Sequence, residues 1–134
     1  MHNEPVMTFA QLTALARRSE NVAVQCACAA VSFAGWERVP VSFPAQLMRH
    51  VGTLVEDPYS EATYEEFLPS GTNYWSENAP IALRHFPYNR CVVDQCASCG
   101  RAYLRYTETG GYYVEPRIRA LVLGLIVDPS PLDS

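Results

Sequence analysis

Helical spacing of apolar residues is confined to one segment near the start of the chain. Between residues 9 and 18 the apolar side chains recur every three to four positions, as on one face of an amphipathic helix. Thr8 precedes this segment and Gln11 follows three residues later, which is the arrangement of a capping box. The sequence therefore predicts a short helix over residues 9–18, whose apolar face is made by Phe9, Leu12, Leu15 and Ala16.

After this helix the spacing of apolar residues changes to two. Residues 22–33 alternate in the way that predicts a buried strand, with Cys26 and Cys28 on the same side. Residues 39–43 predict an edge strand, because Pro40 cannot donate to a ladder. Pro44 suits the first turn of a short helix over residues 44–48.

The middle of the chain has a different character. Residues 52–80 are rich in turn formers and carry six acidic side chains without a basic one. We expect little regular structure there beyond one helical turn after Ser60, followed by a strand over residues 81–86.

The last third of the chain predicts a small antiparallel meander. Its strands cover residues 91–95, 101–107 and 112–114, joined by turns at 96–100 and 109–111. Residues 118–127 are apolar almost throughout, which fits a buried strand or a short helix equally well. We therefore predict an α+β fold, mainly β, in which small twisted antiparallel sheets follow an N-terminal helix. One domain would cover residues 1–127, with residues 128–134 as a flexible tail.

Composition narrows the possible chemistry. The chain has 134 residues, 49% of them apolar and 18% charged, which is typical of a globular domain. Its net charge of −4 argues against a protein that holds nucleic acid by neutralising phosphates. All ten basic residues are arginine, which excludes a Schiff-base lysine and a phosphate-loop lysine.

The expected location follows from two segments. The N-terminus shows no basic region followed by an apolar one, and the longest apolar run, residues 120–127, is far shorter than the roughly 20 residues that span a bilayer. We therefore expect a cytoplasmic protein without a membrane partner. Clustered cysteines in a reducing compartment bind metal more often than they form disulfides.

The segment Cys96-x-x-Cys99-Gly100 is typical of a metal-binding knuckle. It lies at a predicted turn between strands, where both sulfurs can face one ion and glycine accepts the backbone angles of the turn. Tetrahedral zinc needs two more ligands, and no Cys or His follows Cys99. The remaining ligands must therefore lie earlier in the chain.

Two pairs could complete the site. Cys26 and Cys28 would lie on one face of a strand, roughly 6.5–7 Å apart if fully extended, so that a slight bend would bring both to one ion. The other pair is Cys91 with His85, but an extended chain puts Cys91 about 16 Å from Cys96. We favour a structural zinc site made by Cys26, Cys28, Cys96 and Cys99. Cys91 would be a core residue, and Cys91 with His85 remains the alternative pair.

The order of these cysteine motifs resembles the structural zinc site of the glutathione-dependent formaldehyde-activating family. That family has an early C-x-C strand and a late C-x-x-C-G knuckle, here Cys26-Ala27-Cys28 and Cys96-Ala97-Ser98-Cys99-Gly100. The resemblance implies a small β-sandwich with one zinc between its sheets. Members with the proposed activity also carry a C-x-C-x-x-C cluster, whereas this chain has no Cys between Cys28 and Cys91. The resemblance therefore implies the scaffold and not the activity.

Arginine and tyrosine are interleaved around the knuckle. Six arginines lie between residues 84 and 119, and Arg101, Tyr103 and Arg105 would share one face of a strand. Such a face suits an anionic ligand or a protein partner, although the same arginines could instead balance the thiolates and the acidic middle segment. The function that we favour is a binding or interaction module. A small-molecule enzyme with a pocket near His85, Tyr88 and Arg90 is the alternative, and the sequence leaves open whether the protein is an enzyme.

Overall fold

The computed structural model describes residues 5–59, 61–110 and 114–129, which form one α-helix and seven strands. Four short 3-10 segments lie between them, at Ala27–Ala29, Ala45–Leu47, Tyr88–Arg90 and Leu123–Leu125. The predicted class, α+β and mainly β, is confirmed. The elements are α1 Phe9–Glu20, β1 Glu37–Arg38, β2 Met48–Thr53, β3 Ile81–Ala82, β4 Val92–Cys96, β5 Ala102–Glu108, β6 Glu115–Ala120 and β7 Ile126–Val127.

Five of the strands form an antiparallel sheet in the order β1-β6-β5-β4-β2. The remaining two, β3 and β7, pair in parallel, so the prediction of antiparallel sheets alone is wrong for this pair. A parallel pair needs a long crossover between its strands, and here the crossover contains β4, β5 and β6. The resemblance implied a sandwich of two sheets; among the described residues the second sheet has only these two strands.

Helix α1 confirms the predicted helix and extends two residues beyond it. The capping box is present: the Thr8 hydroxyl accepts from the backbone N–H of Gln11, and the Gln11 side chain accepts from the backbone N–H of Thr8. Leu12 and Leu15 are buried, whereas Phe9 remains 41% exposed. The helix therefore covers the sheet with a narrower apolar face than the sequence suggests.

The five-stranded sheet has a buried core on each side. Along β5, Ala102, Leu104 and Tyr106 face one core and Tyr103 faces the other, as the alternation predicts. The helix-side core contains the buried side chains Leu12, Leu15, Ala16, Trp36, Leu54, Ile81, Leu83, Tyr88, Cys91, Val93, Ala102, Leu104, Tyr106, Leu121 and Ile126. The cysteine-side core contains Cys28, Phe33, Phe43, Cys96, Tyr103 and Ile118.

The predicted strand over residues 22–33 is wrong. Cys26 has extended backbone angles, but a 3-10 turn follows it at once, closed by a hydrogen bond from the Ala29 N–H to the Cys26 carbonyl at 3.0 Å. Phe33 then takes a positive φ of 51°, which interrupts a regular strand. The chain accepts this conformation because the ring of Phe33 packs edge-on against Phe43 and Tyr103 in the cysteine-side core.

The next predicted elements are displaced along the chain. Residues 39–43 are not a strand: the chain turns there with a hydrogen bond from Phe43 N–H to the Pro40 carbonyl, and Val41 is fully exposed. The predicted helix over 44–48 is only the 3-10 turn Ala45–Leu47, and β2 begins directly after it. Burial does not alternate along β2, since its first three residues are half-buried or exposed.

The middle segment is largely irregular, as predicted, but the expected helical turn after Ser60 is absent from residues 61–80. Ser60 itself lies outside the described residues. The predicted strand over 81–86 is shortened to Ile81–Ala82, because Arg84 takes a φ of 70° and turns the chain.

The predicted hairpin around the knuckle is confirmed by β4 and β5. Residues 111–113, which carry part of the third predicted strand, lie outside the described residues. The undecided segment over 118–127 is divided among the end of β6, a 3-10 turn and β7. Of the predicted tail, Asp128 and Pro129 both accept from Arg84, and residues 130–134 are not described. Among the described helices, none is long and apolar enough to cross a membrane.

Candidate metal centre

Four cysteines from distant parts of the chain lie together on the cysteine side of the sheet. The sulfurs of Cys26, Cys28, Cys96 and Cys99 all lie within 4.8 Å of one another. Cys26 Sγ is 3.7 Å from Cys96 Sγ, and Cys28 Sγ is 3.6 Å from Cys99 Sγ. Zinc–sulfur bonds of about 2.3 Å in a tetrahedron place ligand sulfurs about 3.8 Å apart. The cluster therefore has the dimensions of a site for one metal ion.

The 3-10 turn at Ala27–Ala29 explains how the C-x-C pair reaches one point. A fully extended strand would hold the two sulfurs roughly 6.5–7 Å apart. The turn that follows Cys26 shortens this separation, so that both sulfurs join the same cluster. From the sequence we expect a slight bend between Cys26 and Cys28, and the structure has a 3-10 turn there.

The knuckle confirms the predicted geometry of the second pair. Cys96 ends β4, and the Gly100 N–H donates to the Cys96 carbonyl at 2.9 Å. Gly100 has a φ of 93°, a region that favours glycine, as predicted. A further hydrogen bond, from the Ala97 N–H to the Leu47 carbonyl, ties the turn to the segment before β2.

Two side chains of β5 and the turn before it contact the sulfurs. The backbone N–H and the guanidinium of Arg101 both lie 3.5 Å from Cys99 Sγ. The hydroxyl of Tyr103 lies 3.1 Å from Cys28 Sγ and donates as well to the Cys28 carbonyl. Donors of this kind stabilise thiolates and orient them toward a metal. In a metal-bound site the guanidinium would also offset part of the negative charge of four thiolates.

The thiols of Cys26 and Cys28 differ in acidity. A hydrogen bond from the backbone N–H of Cys28 lowers the pKa of Cys26 to about 7, whereas burial raises the pKa of Cys28. Burial also raises the pKa of Tyr103, so its hydroxyl keeps the proton that it donates. Cys26 therefore ionises more readily than Cys28, whose proton a bound metal ion would displace.

The alternative pair lies elsewhere. Cys91 is fully buried in the helix-side core, with its sulfur 3.4 Å from the Pro87 carbonyl oxygen. His85 packs on Phe67, and its Nδ1 lies 3.1 Å from the Leu83 carbonyl. The structure brings neither residue to the cluster, and the interpretation of Cys91 as a core residue is confirmed.

The predicted polar face of β5 is less open than the sequence suggests. Tyr103 is only 2% exposed. Arg101 contacts Cys99 and Arg105 lies near Phe43, which places both arginines on the cysteine side. Of the six arginines in this region, only Arg101 contacts a cysteine sulfur among the described residues. The others contact carboxylates, aromatic rings or carbonyls: Arg84 with Asp128, Arg90 with Tyr64, Arg105 with Asp94, Arg117 with Glu115, and Arg119 with Ala79.

The three residues of the alternative enzyme pocket have separate surroundings. The Tyr88 hydroxyl is buried and accepts from the Trp36 indole at 3.2 Å and from Arg119 at 2.5 Å. Arg90 lies over the Tyr64 ring at 4.2 Å, while His85 contacts the Leu83 carbonyl. The residues named for this pocket therefore do not face one common ligand.

Sequence reasoning missed a polar cluster between β2 and β4. The Nδ1–H of His50 donates to one oxygen of Asp94, and Arg105 donates to the other at 3.0 Å. Asp94 has no exposed surface. No spacing rule links these residues, because β2 was not predicted and only the register His50 opposite Asp94 brings them together.

Comparisons of this chain with models of protein families, with curated protein sequences and with solved structures found no match in any of the three. The functional argument therefore rests on the site itself.

Proposed function

We propose that this is a zinc-binding protein in which Cys26, Cys28, Cys96 and Cys99 hold one structural zinc ion. The observation that carries the proposal is the mutual approach of four sulfurs within 4.8 Å. Sulfur ligands in a tetrahedron suit zinc or iron. Zinc is the ion we propose, because closed four-cysteine sites are a common form of structural zinc.

A structural role follows from the ligand count. Four sulfurs fill every position of a tetrahedral ion, which leaves none for water or a substrate. The ligand pairs are 70 and 71 positions apart in sequence. Zinc would therefore join the turn at Ala27–Ala29 to the knuckle between β4 and β5, and would close the small cysteine-side core. Since the ligands must be thiolates, we also propose a reducing, cytoplasmic location.

The resemblance to the formaldehyde-activating family enters as part of this proposal. The order of C-x-C and C-x-x-C-G motifs and the clustering of their four sulfurs support a shared type of structural zinc site. The chain lacks the second cysteine cluster of the active members. We therefore propose the scaffold without glutathione-adduct chemistry.

A metal analysis of single variants tests the zinc proposal. Cys26→Ser and Cys96→Ser each remove one ligand, and Cys91→Ala is the matched control because its sulfur lies outside the cluster. We expect one zinc per chain in the unmodified protein and in the control, and loss of zinc in both ligand variants. Zinc retained in both ligand variants would contradict the ligand set, and a coloured iron-loaded protein would contradict the choice of metal.

We propose in addition that the zinc-bound sheet serves as a binding module for an anionic ligand or an unidentified protein, through arginines on its cysteine side. Arg101 and Arg105 share that side and retain partial exposure, which supports this role. Because Tyr103 between them is buried, contact would be made by guanidinium groups rather than by a mixed Arg and Tyr surface. The chain has no lysine, so arginine would supply any fixed positive charge for such a ligand.

A further inference from the structure

A cleft lined by residues of β2, β4, β5 and β6 and by Arg90 contains several basic side chains. Its volume is about 410 Å³, within the roughly 300–1,000 Å³ of small-molecule sites. His50, Arg90, Arg105 and Arg117 line it together with Thr107, and none of its lining residues in the described part of the chain is acidic. The protein carries a net charge of −4, so this concentration of basic side chains runs against its overall charge.

Asp94 fixes two of the basic groups. It has no exposed surface, and each of its oxygens accepts a hydrogen bond, one from His50 and one from Arg105. The pairing holds the imidazole with Nδ1 toward Asp94 and Nε2 turned away from it. The His50 side chain is 53% exposed, and Nε2 has no hydrogen-bond partner among the described residues.

Arg105 also keeps unused donors. One terminal nitrogen donates to Asp94, while Nε and the other terminal nitrogen have no hydrogen-bond partner in the described part of the chain. Its guanidinium carbon lies 5.6 Å from the centre of the Phe43 ring, which limits its movement. The Arg105 guanidinium is therefore held by Asp94 and still has N–H groups that could bind an anionic ligand.

Arg90 supplies positive charge that no described carboxylate balances. Its guanidinium lies over the ring of Tyr64 and donates to the Ala62 carbonyl at 2.9 Å. Its Nε is buried without a hydrogen-bond partner among the described residues. Arg117 differs, because it pairs with Glu108 and Glu115. Among the described residues, Arg90 therefore has no carboxylate partner and Arg105 has one, whereas Arg117 has two.

We propose that this cleft binds a small oxyanion, the phosphate or carboxylate group of a small molecule, through Arg105 and Arg90, and through the Nε2–H of His50 when its imidazole is protonated. Guanidinium groups match the planar or tetrahedral oxygens of such anions and donate to two of them at once. The size of the cleft fits a small anion rather than a nucleic acid. This proposal rests on the proposed binding function and specifies the class of ligand. None of the four proposed zinc ligands lines the cleft.

Titration of the isotope-labelled, zinc-loaded chain tests this site. Inorganic phosphate and acetate are added in separate series at constant ionic strength, with sodium chloride as reference, while backbone amide signals are followed. We expect saturable shifts at His50, Arg105 and Thr107, with a dissociation constant below about 10 mM for at least one of the two probes. Saturation by phosphate alone or by acetate alone identifies which oxyanion the cleft prefers. Shifts that do not saturate with either probe, or that only follow chloride, would overturn the proposal.

Two variants and a control locate the binding. Arg105→Gln and Arg90→Gln each remove one guanidinium of the cleft, and Arg17→Gln removes the same charge from the exposed side of α1. We expect at least tenfold weaker binding in both cleft variants and unchanged binding in the control. Arg90→Gln keeps the test valid if Arg105→Gln disturbs Asp94. Undiminished binding in both folded cleft variants would overturn the site, while the zinc content of the same samples reports separately on the metal proposal.

Discussion

The two sides of the sheet bury cores that differ in size and in composition. Fifteen buried side chains form the helix-side core, whereas six form the cysteine-side core. Cys91 on the helix side is a small apolar residue among many, while two of the six residues on the other side are metal-ligand candidates. The difference shows that burial alone does not assign a cysteine: the role depends on whether other sulfurs lie within reach of one ion.

The helix side has its own polar reinforcement. Arg119 is fully buried, and its guanidinium donates to the carbonyls of Ala34, Glu77 and Ala79 and to the Tyr88 hydroxyl. No described carboxylate pairs with it. One side chain thus fixes the irregular middle segment to β6, where the cysteine side would use a metal ion for the same purpose.

Removal of zinc should produce the largest difference between the two sides. Structural zinc contributes on the order of 10 kcal/mol to folding in small domains. With a strong chelator we expect rapid hydrogen exchange at the amides of Ala29 and Gly100, which close the two cysteine turns, before exchange at Leu12 in α1. Hydrogen exchange with and without chelator measures this, with Cys91→Ala as control. Equal protection of both sides after complete zinc removal would contradict a metal-dependent cysteine side.

Arg119→Met should produce the next largest effect, and on the opposite side. The substitution leaves buried carbonyls and the Tyr88 hydroxyl without their donor, so we expect a loss of about 3 kcal/mol or more in the free energy of unfolding. Zinc content should not change, because Arg119 faces away from the cysteines. Urea unfolding and metal analysis check both points, with the exposed Arg17→Met as control. Loss of zinc without a lower free energy of unfolding would contradict the prediction that Arg119 stabilises the helix side and does not affect the metal site.

Tyr103→Phe should have the smallest effect and act on the cysteine side only. It removes the hydroxyl that lies 3.1 Å from Cys28 Sγ. Loss of such a hydrogen bond to a metal ligand commonly lowers metal affinity 10–100-fold. We also expect the free energy of unfolding to fall by about 1.5 kcal/mol. Competition with a zinc chelator measures the affinity. Tyr106→Phe is the matched control, because its hydroxyl contacts Tyr74 and Glu108 in the helix-side region. Equal zinc affinities in the two variants would show that Tyr103 does not support the site.

The parts of the fold that local sequence determines were predictable. The capping box defined the start of α1, and the C-x-x-C-G turn defined the hairpin of β4 and β5. The ligand set was proposed from spacing alone, and the same four sulfurs form the cluster. Each of these features depends on residues close in sequence or on a counting rule for ligands.

The parts that failed depend on tertiary contacts. Residues 22–33 alternate as in a strand, yet the chain forms a 3-10 turn at Ala27–Ala29. The turn allows the sulfurs of Cys26 and Cys28 to lie together, and Phe33 is buried after it. The pairing of His50 with Asp94 depends on a strand whose own pattern is weak. Local periodicity carries no information about such contacts, because they are made between segments that are distant in sequence.

X-ray absorption at the zinc edge of the purified protein tests the central claim most directly. Four sulfur ligands at about 2.3 Å and no nitrogen or oxygen neighbour in the first coordination sphere are the expected result. A sphere that contains nitrogen or oxygen, or a protein that takes up no zinc when its thiols are reduced, would contradict a structural four-cysteine site.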